Sequence, residues 1–214
     1  MTCPKCNAHN PELTLFCNQC GDFVGAESAL AFKALNLTVL RADLADFTKM
    51  SELLDPEEVM GLLNLCFDRL GKIVLDRKGM VQRFIGDEMI AIFGLPTPDA
   101  HSPMMALFAA QEMHNAVREV SITKITREHL AVKIGVETDL TFLYYPRGKG
   151  DLHELLFLGP VFAKALHLQK MARVTSTLVG ESTYERAKTF FEFREAKLGL
   201  YQDQSFLSYE LLPL

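Results

Sequence analysis

Two short acidic turns carry the residues best suited to chemistry. Arg41-Ala42-Asp43-Leu44-Ala45-Asp46-Phe47-Thr48 follows the apolar run 37–40, and Phe84-Ile85-Gly86-Asp87-Glu88 ends the run 80–85. Both runs have strand character, so each turn carries a carboxylate to the point where a buried strand meets solvent. Strands laid side by side bring Asp43 and Asp87 together. Two carboxylates at one point repel unless a cation sits between them. Hard divalent ions take oxygen ligands, and Mg²⁺ is held by one or two carboxylates together with the phosphates of a nucleotide. The expected site is a metal–triphosphate site with Mg²⁺ or Mn²⁺. A single Asp at such a turn would more simply cap it; the residues flanking both turns favour the site.

A second metal signal stands at the start of the chain. Cys3-Pro4-Lys5-Cys6 and Cys17-Asn18-Gln19-Cys20 are two CxxC pairs ten residues apart. Two such knuckles face four thiolates toward one ion, a tetrahedral set suited to structural Zn²⁺. Redox CxxC motifs come singly and on larger folds. A segment this short builds no core of its own, so metal binding is its source of folding energy. Lys5 is its one basic residue, against Glu12 and Asp22, which excludes a DNA-binding finger and favours a docking or spacer role. His9 is left to solvent.

The 214 residues suffice for one packed domain plus a small appendage, and the 49% hydrophobic content excludes a disordered chain. A net charge of −5 argues against a nucleic-acid partner. No apolar run reaches the roughly 18 residues of a membrane span, so no membrane partner is expected. The opening Met-Thr-Cys-Pro-Lys-Cys has no apolar signal segment, which predicts a cytoplasmic chain with reduced thiols.

The elements that position the acids follow from periodicity. A strand is expected over 35–42. Asp55-Pro56-Glu57-Glu58 starts a helix, with Asp as N-cap, Pro at N1 and acids in the first turn. Val59, Leu63, Cys66, Leu70 and Ile73 mark its buried stripe, and Gly79 is expected to end it. Runs 80–85 and 89–93 make a tight hairpin with Asp87 at the tip. There follow a helix over 103–120, a connector over 121–128 and strands over 130–136 and 141–145. Pro146-Arg147-Gly148-Lys149-Gly150-Asp151 reads as a hairpin tip leading to a strand over 152–158. A helix over 160–173, a strand over 177–179, a helix over 182–188 and strands over 190–196 and 205–212 complete the chain. The order βαββαβββαβαββ predicts an α+β fold, mainly antiparallel, with helices on one face. The expected division is a zinc ribbon over 1–24, a linker over 25–34 and the main domain over 35–214.

At these residues the chain resembles the class III nucleotide cyclases, the adenylyl/guanylyl cyclase family. Asp43-Leu44-Ala45-Asp46-Phe47-Thr48 resembles that family's first metal loop. Asp55-Pro56-Glu57-Glu58, with Leu62-Leu63-Asn64 and Phe67-Asp68, resembles its first helix, and Phe84-Ile85-Gly86-Asp87 its second metal hairpin. Gly159 followed by Ala165, Leu168, Gln169 and Ala172 is similar to its late helix, and Glu181-Ser182-Thr183-Tyr184 to the segment beyond. The resemblance implies the ferredoxin-like nucleotide-cyclase fold over about 36–214 and a head-to-tail pair, either a homodimer or a heterodimer with a complementary cyclase domain. It implies ATP or GTP at the interface, with two Mg²⁺ or Mn²⁺ ions between Asp43 and Asp87. The carbonyl of Leu44 would assist the metals, and the backbone of Leu44, Ala45, Phe47 and Thr48 would cradle phosphate.

Other positions depart from the family. Arg83 replaces a base-reading Lys, and a planar fork does not substitute simply for a point charge. Leu156 replaces an Asp or Thr that also reads the base. An ungapped match from Gly159 puts Ala163 and His167 where the family carries an Asn and an Arg that orient ribose and stabilise the transition state. Ala163 donates nothing from its side chain, and His167 is shorter than Arg and reads first as a surface histidine. Arg83, also a nucleotide-binding candidate, and His167 are the candidates for a catalytic role. Asp46 replaces a Gly beside the phosphates, and Glu137-Thr138-Asp139 departs from a Thr-Gly dipeptide. Losing one preorganised donor costs about 3–4 kcal/mol, or 10²–10³ in rate. The expectation is a metal–nucleotide-binding pseudoenzyme or the metal-donating half of a heterodimer. The alternatives are an active adenylyl cyclase making cyclic AMP from ATP, a diguanylate-cyclase-like domain built on Arg83-Phe84-Ile85-Gly86-Asp87-Glu88, and an interaction module that binds no nucleotide.

Overall fold

A computed structural model describes residues 1–11, 14, 16–22, 24, 33–120, 130–144, 156–196, 199–201 and 204–213. Strand β1 (Lys33–Leu44) lies inside the sheet. It sends Leu37 and Val39 to one face and Leu40, Ala42 and Leu44 to the other, all buried. A strand apolar on both faces takes an interior place. The short helix α1 (Phe47–Ser51) follows it, and then α2 (Pro56–Asp76). Asp55 caps α2 as expected, and the Glu58 carboxylate accepts the Asp55 N–H at 3.4 Å. The hairpin β2 (Gly79–Ile85) and β3 (Glu88–Phe93) leads to α3 (Ser102–Arg118) and β4 (Val132–Tyr144). Then come β5 (Leu156–Leu158), α4 (Val161–Met171), β6 (Thr177–Gly180), α5 (Glu181–Ala187), β7 (Phe193–Glu195), the hairpin β8 (Gly199–Tyr201) and β9 (Gln204–Phe206), and β10 (Ser208–Leu211).

The main sheet runs β2-β3-β1-β4-β6-β10-β7, with β5 on the far part of β4. Its pairings are antiparallel except β4 with β6. The expected α+β class with a mainly antiparallel sheet is what folds. The helices, however, cover both faces. Helices α2, α3 and α5 pack Leu70, Leu107, Met113 and Ala187 on the side of Leu40, Ala42, Ala91 and Ile134. Helix α4 packs Val161 and Ala165 on the opposite side, against Leu37, Val39, Ile90 and Ile92. Gly135 permits that approach: a Cβ there would lie 2.3 Å from the Ala165 carbonyl and the Gln169 nitrogen.

Two boundaries also differ from expectation. Helix α2 stops at Asp76, and Gly79 opens β2, because the Phe93 ring leaves 2.6 Å for a Cβ at that position. The strands expected over 130–136 and 141–145 are the single strand β4, paired with β1 from Leu44↔Val132 to Lys33↔Leu143. The polar break at Glu137-Thr138 is absorbed because the Thr138 hydroxyl meets Thr38 at 2.9 Å and accepts from Thr183 at 3.0 Å. Helix α1 and the β8–β9 hairpin were not foreseen. The connector 121–128, the hairpin tip 146–151, the start of the 152–158 strand and most of the 25–34 linker lie outside the described residues. Cys66 is buried in the core, as its place on the stripe implied. Among the described residues no helix is long and apolar enough to cross a membrane.

The cysteine segment forms two matched knuckles. Asn7 N–H donates to the Cys3 carbonyl at 3.0 Å, and Gly21 N–H to the Cys17 carbonyl at 2.9 Å. Both Asn7 and Gly21 take left-handed φ, 59° and 71°. The segment docks on the chain's own sheet: Phe16 is 1% exposed and joins the core beneath α4.

Candidate metal–nucleotide site

Strand register builds the acidic half of the site. Asp43 on β1 is paired with Glu88 on β3 and with Lys133 on β4, so the three side chains share the α4 face of the sheet. The β2–β3 turn places Asp87 next to Glu88, and Leu44 N–H donates to the Asp87 carbonyl at 3.4 Å. Gly86, at φ 60°, makes the turn. The strand end and the turn therefore meet, and the two acids sense each other. Burial pushes the Asp87 carboxyl above its usual range, the charges of Asp43 and then Glu88 push it further, and Lys133 partly offsets them.

The cations around these acids are unequally shared. Arg41 forks onto Glu88, with Nε 2.5 Å and Nη2 2.6 Å from its two oxygens, which neutralises that carboxylate. Lys133 Nζ lies 3.3 Å from Asp43 Oδ2. One lysine thus faces two aspartates, and the pair retains a net negative charge. Its donors are all oxygen, a set that suits Mg²⁺ or Mn²⁺ and not a thiophilic ion. The residues present fit such an ion.

The loop after Asp43 is narrower as a phosphate cradle than its sequence suggests. The Leu44 N–H is taken by Asp87, and the Ala45 N–H donates to the Ala131 carbonyl at 2.8 Å. Phe47 packs into the core on the α2 side, which leaves its backbone alone for any ligand. Thr48 lies in the first turn of α1. Asp46 sits at φ 58°, a left-handed conformation that explains why glycine suits this position. Lys49 holds its carboxylate at 2.8 Å and keeps that carboxyl below the usual range.

The remaining candidates fall elsewhere. A bulge between Val81 and Arg83 shifts the register of β2, and Arg83, exposed, stands across from Ile90 on the sheet face that also carries Asp43. Leu156 is 52% exposed and forms an outer stripe with Leu158, Leu140 and Phe142 on the β4–β5 arm. Ala163 and His167 lie one turn apart on α4, half-buried, and the His167 ring stands edge-on to Phe206 at 5.6 Å. Lys133 was missed from sequence. A lone lysine in an apolar strand was the available signal, and only pairing with β1 reveals that it faces Asp43.

The four cysteines form the other candidate metal centre. Their sulfurs all lie within 4.8 Å of one another, with Cys3–Cys20 at 3.6 Å and Cys6–Cys17 at 3.5 Å. Four sulfurs at about 2.3 Å from a tetrahedral zinc stand about 3.8 Å apart. Asn10 ties the two knuckles: its amide nitrogen donates to the Cys17 sulfur, and its Oδ1 accepts the Asn18 N–H at 2.8 Å.

Comparison with known proteins bears on the family and the fold. The profile of the "Adenylate and Guanylate cyclase catalytic domain" matches residues 32–143. An adenylate cyclase of Anabaena cylindrica is 28% identical over 102 residues, 47% of this chain and 20% of that protein. The chain spans a fifth or less of each curated relative it matches at this level. Among solved structures, the adenylyl cyclase CyaB from P. aeruginosa superposes with a TM-score of 0.77 at 21% identity, covering 86% of this chain and 97% of that one. The guanylate cyclase domain of RhGC from Catenaria anguillulae, in complex with GTP, superposes with a TM-score of 0.74 at 19% identity, covering 85% and 98%.

Proposed function

This chain belongs to the adenylate and guanylate cyclase catalytic domain family, and from that premise we propose that it binds a metal–nucleotide complex at Asp43 and Asp87 without turning it over efficiently by itself. The observation that carries the reading is an asymmetry. The acidic half is assembled and short of positive charge, whereas α4 presents Ala163 and His167 where the family carries Asn and Arg.

Asp43 and Asp87 would hold one or two Mg²⁺ or Mn²⁺ ions. When bound, such an ion supplies charge neutralisation at the phosphates and acidifies a coordinated ribose hydroxyl. Lys133 is the chain's own cation at this point, 3.3 Å from Asp43, and its charge would favour the triphosphate of ATP or GTP held there. Backbone from Asp46 to Thr48 would be left to meet the phosphates, since the amides of Leu44 and Ala45 are occupied. Arg83 would meet the base of the nucleotide held by the partner domain's metal loop, since in this family the base-reading residue is supplied across the dimer.

Catalysis then requires donors from a second domain. The β4–β5 arm exposes Leu140, Phe142, Leu156 and Leu158 as an apolar stripe, a surface suited to pairing. In a homodimer both α4 helices lack the donors, so turnover is slow. In a heterodimer with a complementary cyclase domain, this chain lends its acids to the partner's Asn and Arg. The cysteine cluster holds a structural Zn²⁺, with Cys3, Cys6, Cys17 and Cys20 as ligands.

The test is to incubate the purified protein with ATP or GTP plus Mn²⁺ and to measure bound nucleotide and cyclic product in the same sample. The expected result is Mn²⁺-dependent binding with little product. Rapid product formation would establish the alternative, an active adenylyl or guanylyl cyclase. Absence of nucleotide binding would leave an interaction module.

A further inference from the structure

The cysteine segment is not an independent appendage. Phe16 directly precedes the ligand Cys17 and is 1% exposed. It lies in one cluster with Leu37, Ile92, Leu95, Val161 and Ala165, from β1, β3, the segment after β3, and α4. Thr14, also 1% exposed, places its hydroxyl 3.2 Å from that of Thr97. Among the described residues of the segment the buried side chains are Cys3, Asn10, Thr14, Phe16 and Cys17. Its local order is two knuckles joined by Asn10 and by the Met1–Asn10 backbone contacts. An ion held by all four sulfurs would tie the two knuckles together more firmly than these contacts, and Cys17 is both a knuckle residue and the immediate neighbour of the aromatic anchor.

The geometry points to a mechanical coupling: a thiophilic ion in the four-cysteine cluster stabilises the cyclase domain itself, by holding Phe16 in the core beneath α4. The inference rests on the reading of the cluster as a zinc site and goes beyond it, because that site alone requires no effect outside the first 24 residues. An ion that binds the docked segment and not the open one shifts the folding equilibrium of everything the segment is packed on. Release of the ion frees the knuckles, withdraws Phe16 and leaves Leu37, Ile92 and Val161 with a void. The end of α4 that Phe16 supports leads to Ala163 within one turn and to His167 within two. The ribbon therefore braces the helix that carries Ala163 and His167.

The experiment uses the full chain, loaded with zinc and then treated with a chelator. It reads zinc content, the thermal midpoint of the main unfolding transition, and hydrogen exchange of α4. Chelation is expected to remove one zinc per chain, to lower the midpoint by about 5–15 °C and to speed exchange in α4. In Phe16→Ala the zinc should stay bound, the midpoint should already be low, and chelation should shift it by less than about 3 °C. Phe16→Leu keeps most of the apolar contact, should respond in between, and replaces Phe16→Ala if that variant does not fold. Zinc loss that leaves the midpoint and α4 exchange unchanged overturns the coupling while the metal site stands. So does a Phe16→Ala or Phe16→Leu protein as zinc-sensitive as the parent. Failure of the parent chain to bind one zinc removes the metal site and the coupling with it.

Discussion

The strand end at Asp43 and the helix α4 are two regions of one sheet face with opposite histories of fit. At the strand end, position does the work. Pairing of β1 with β3 and β4 sets Asp43 beside Glu88 and Lys133, and a two-residue turn adds Asp87. On α4, packing is equally well made, with Ala165 and Leu168 buried and Gly135 admitting the backbone. Yet the outward positions carry Ala163 and His167. Fold and chemistry are thus separable: a helix keeps its place through its buried stripe and is free to change what it offers on the other side.

That contrast is most sharply tested by repairing the poorer region. Ala163→Asn with His167→Arg should raise cyclic-nucleotide formation by the chain on the order of 10²-fold, read as product from ATP or GTP with Mn²⁺. No gain would mean that the deficit lies elsewhere, with Leu156 and Arg83 as the next positions to exchange. Damage to the better region should cost roughly 100-fold in nucleotide affinity. Asp87→Ala or Asp43→Ala, titrated with ATP and Mn²⁺ by calorimetry, should lose binding to that extent while the unfolding midpoint stays within a few degrees.

Glu137 separates stability from binding in the same strand as Lys133. It is 4% exposed, and burial lifts its carboxyl from the ordinary 4.5 to about 7, with Lys164 only partly offsetting this. The neutral acid is the form that folds well. Stability from this group is complete below pH 4.5 and falls as pH rises toward 7, a loss of about 3 kcal/mol. Glu137→Gln should remove that slope, raising the midpoint at pH 8 by roughly 5–10 °C and leaving it unchanged at about pH 4.5, with nucleotide affinity unaltered. Smaller effects belong to the charges flanking the acids. Lys133→Met should weaken nucleotide binding roughly tenfold by calorimetry, as a charged hydrogen-bond partner is removed. Asp46→Gly should tighten it about two- to fivefold, since it removes a repelling charge and admits the left-handed backbone at that position.

Much of this was legible beforehand, and for physical reasons. An acid at the end of an apolar run is a local pattern, so Asp43 and Asp87 stand out as candidates by reading alone, and the structure brings their two turns together. The Asp55-Pro56-Glu57-Glu58 start of α2 is a local pattern as well, and so are the two CxxC knuckles. What could not be read was set by pairs of elements distant in the chain. Helical periodicity tells which stripe of α4 is apolar but not which sheet face it covers. Glu137-Thr138 looked like a break because nothing nearby reveals that Thr38 and Thr183 would satisfy it. Lys133 drew no notice in the sequence, because its partner Asp43 belongs to another strand. Phe16 is one of two phenylalanines in a short cysteine segment, and its partners in the core begin far along the chain, at Leu37. Gly79 read as a helix stop because the Phe93 ring that requires it belongs to another strand.

One mixing experiment reaches the central claim most directly. The repaired chain, Ala163→Asn with His167→Arg, is made to carry Asp43→Ala and Asp87→Ala as well, so that it has donors but no acids. It is then combined with the unaltered chain, which has acids but lacks the donors. Cyclic product that forms on mixing, at a level neither protein reaches separately, is the predicted outcome. Mixed protein that forms heterodimers and binds nucleotide but makes no more product than the unaltered chain alone would contradict the division of the site into an intact half and a missing one.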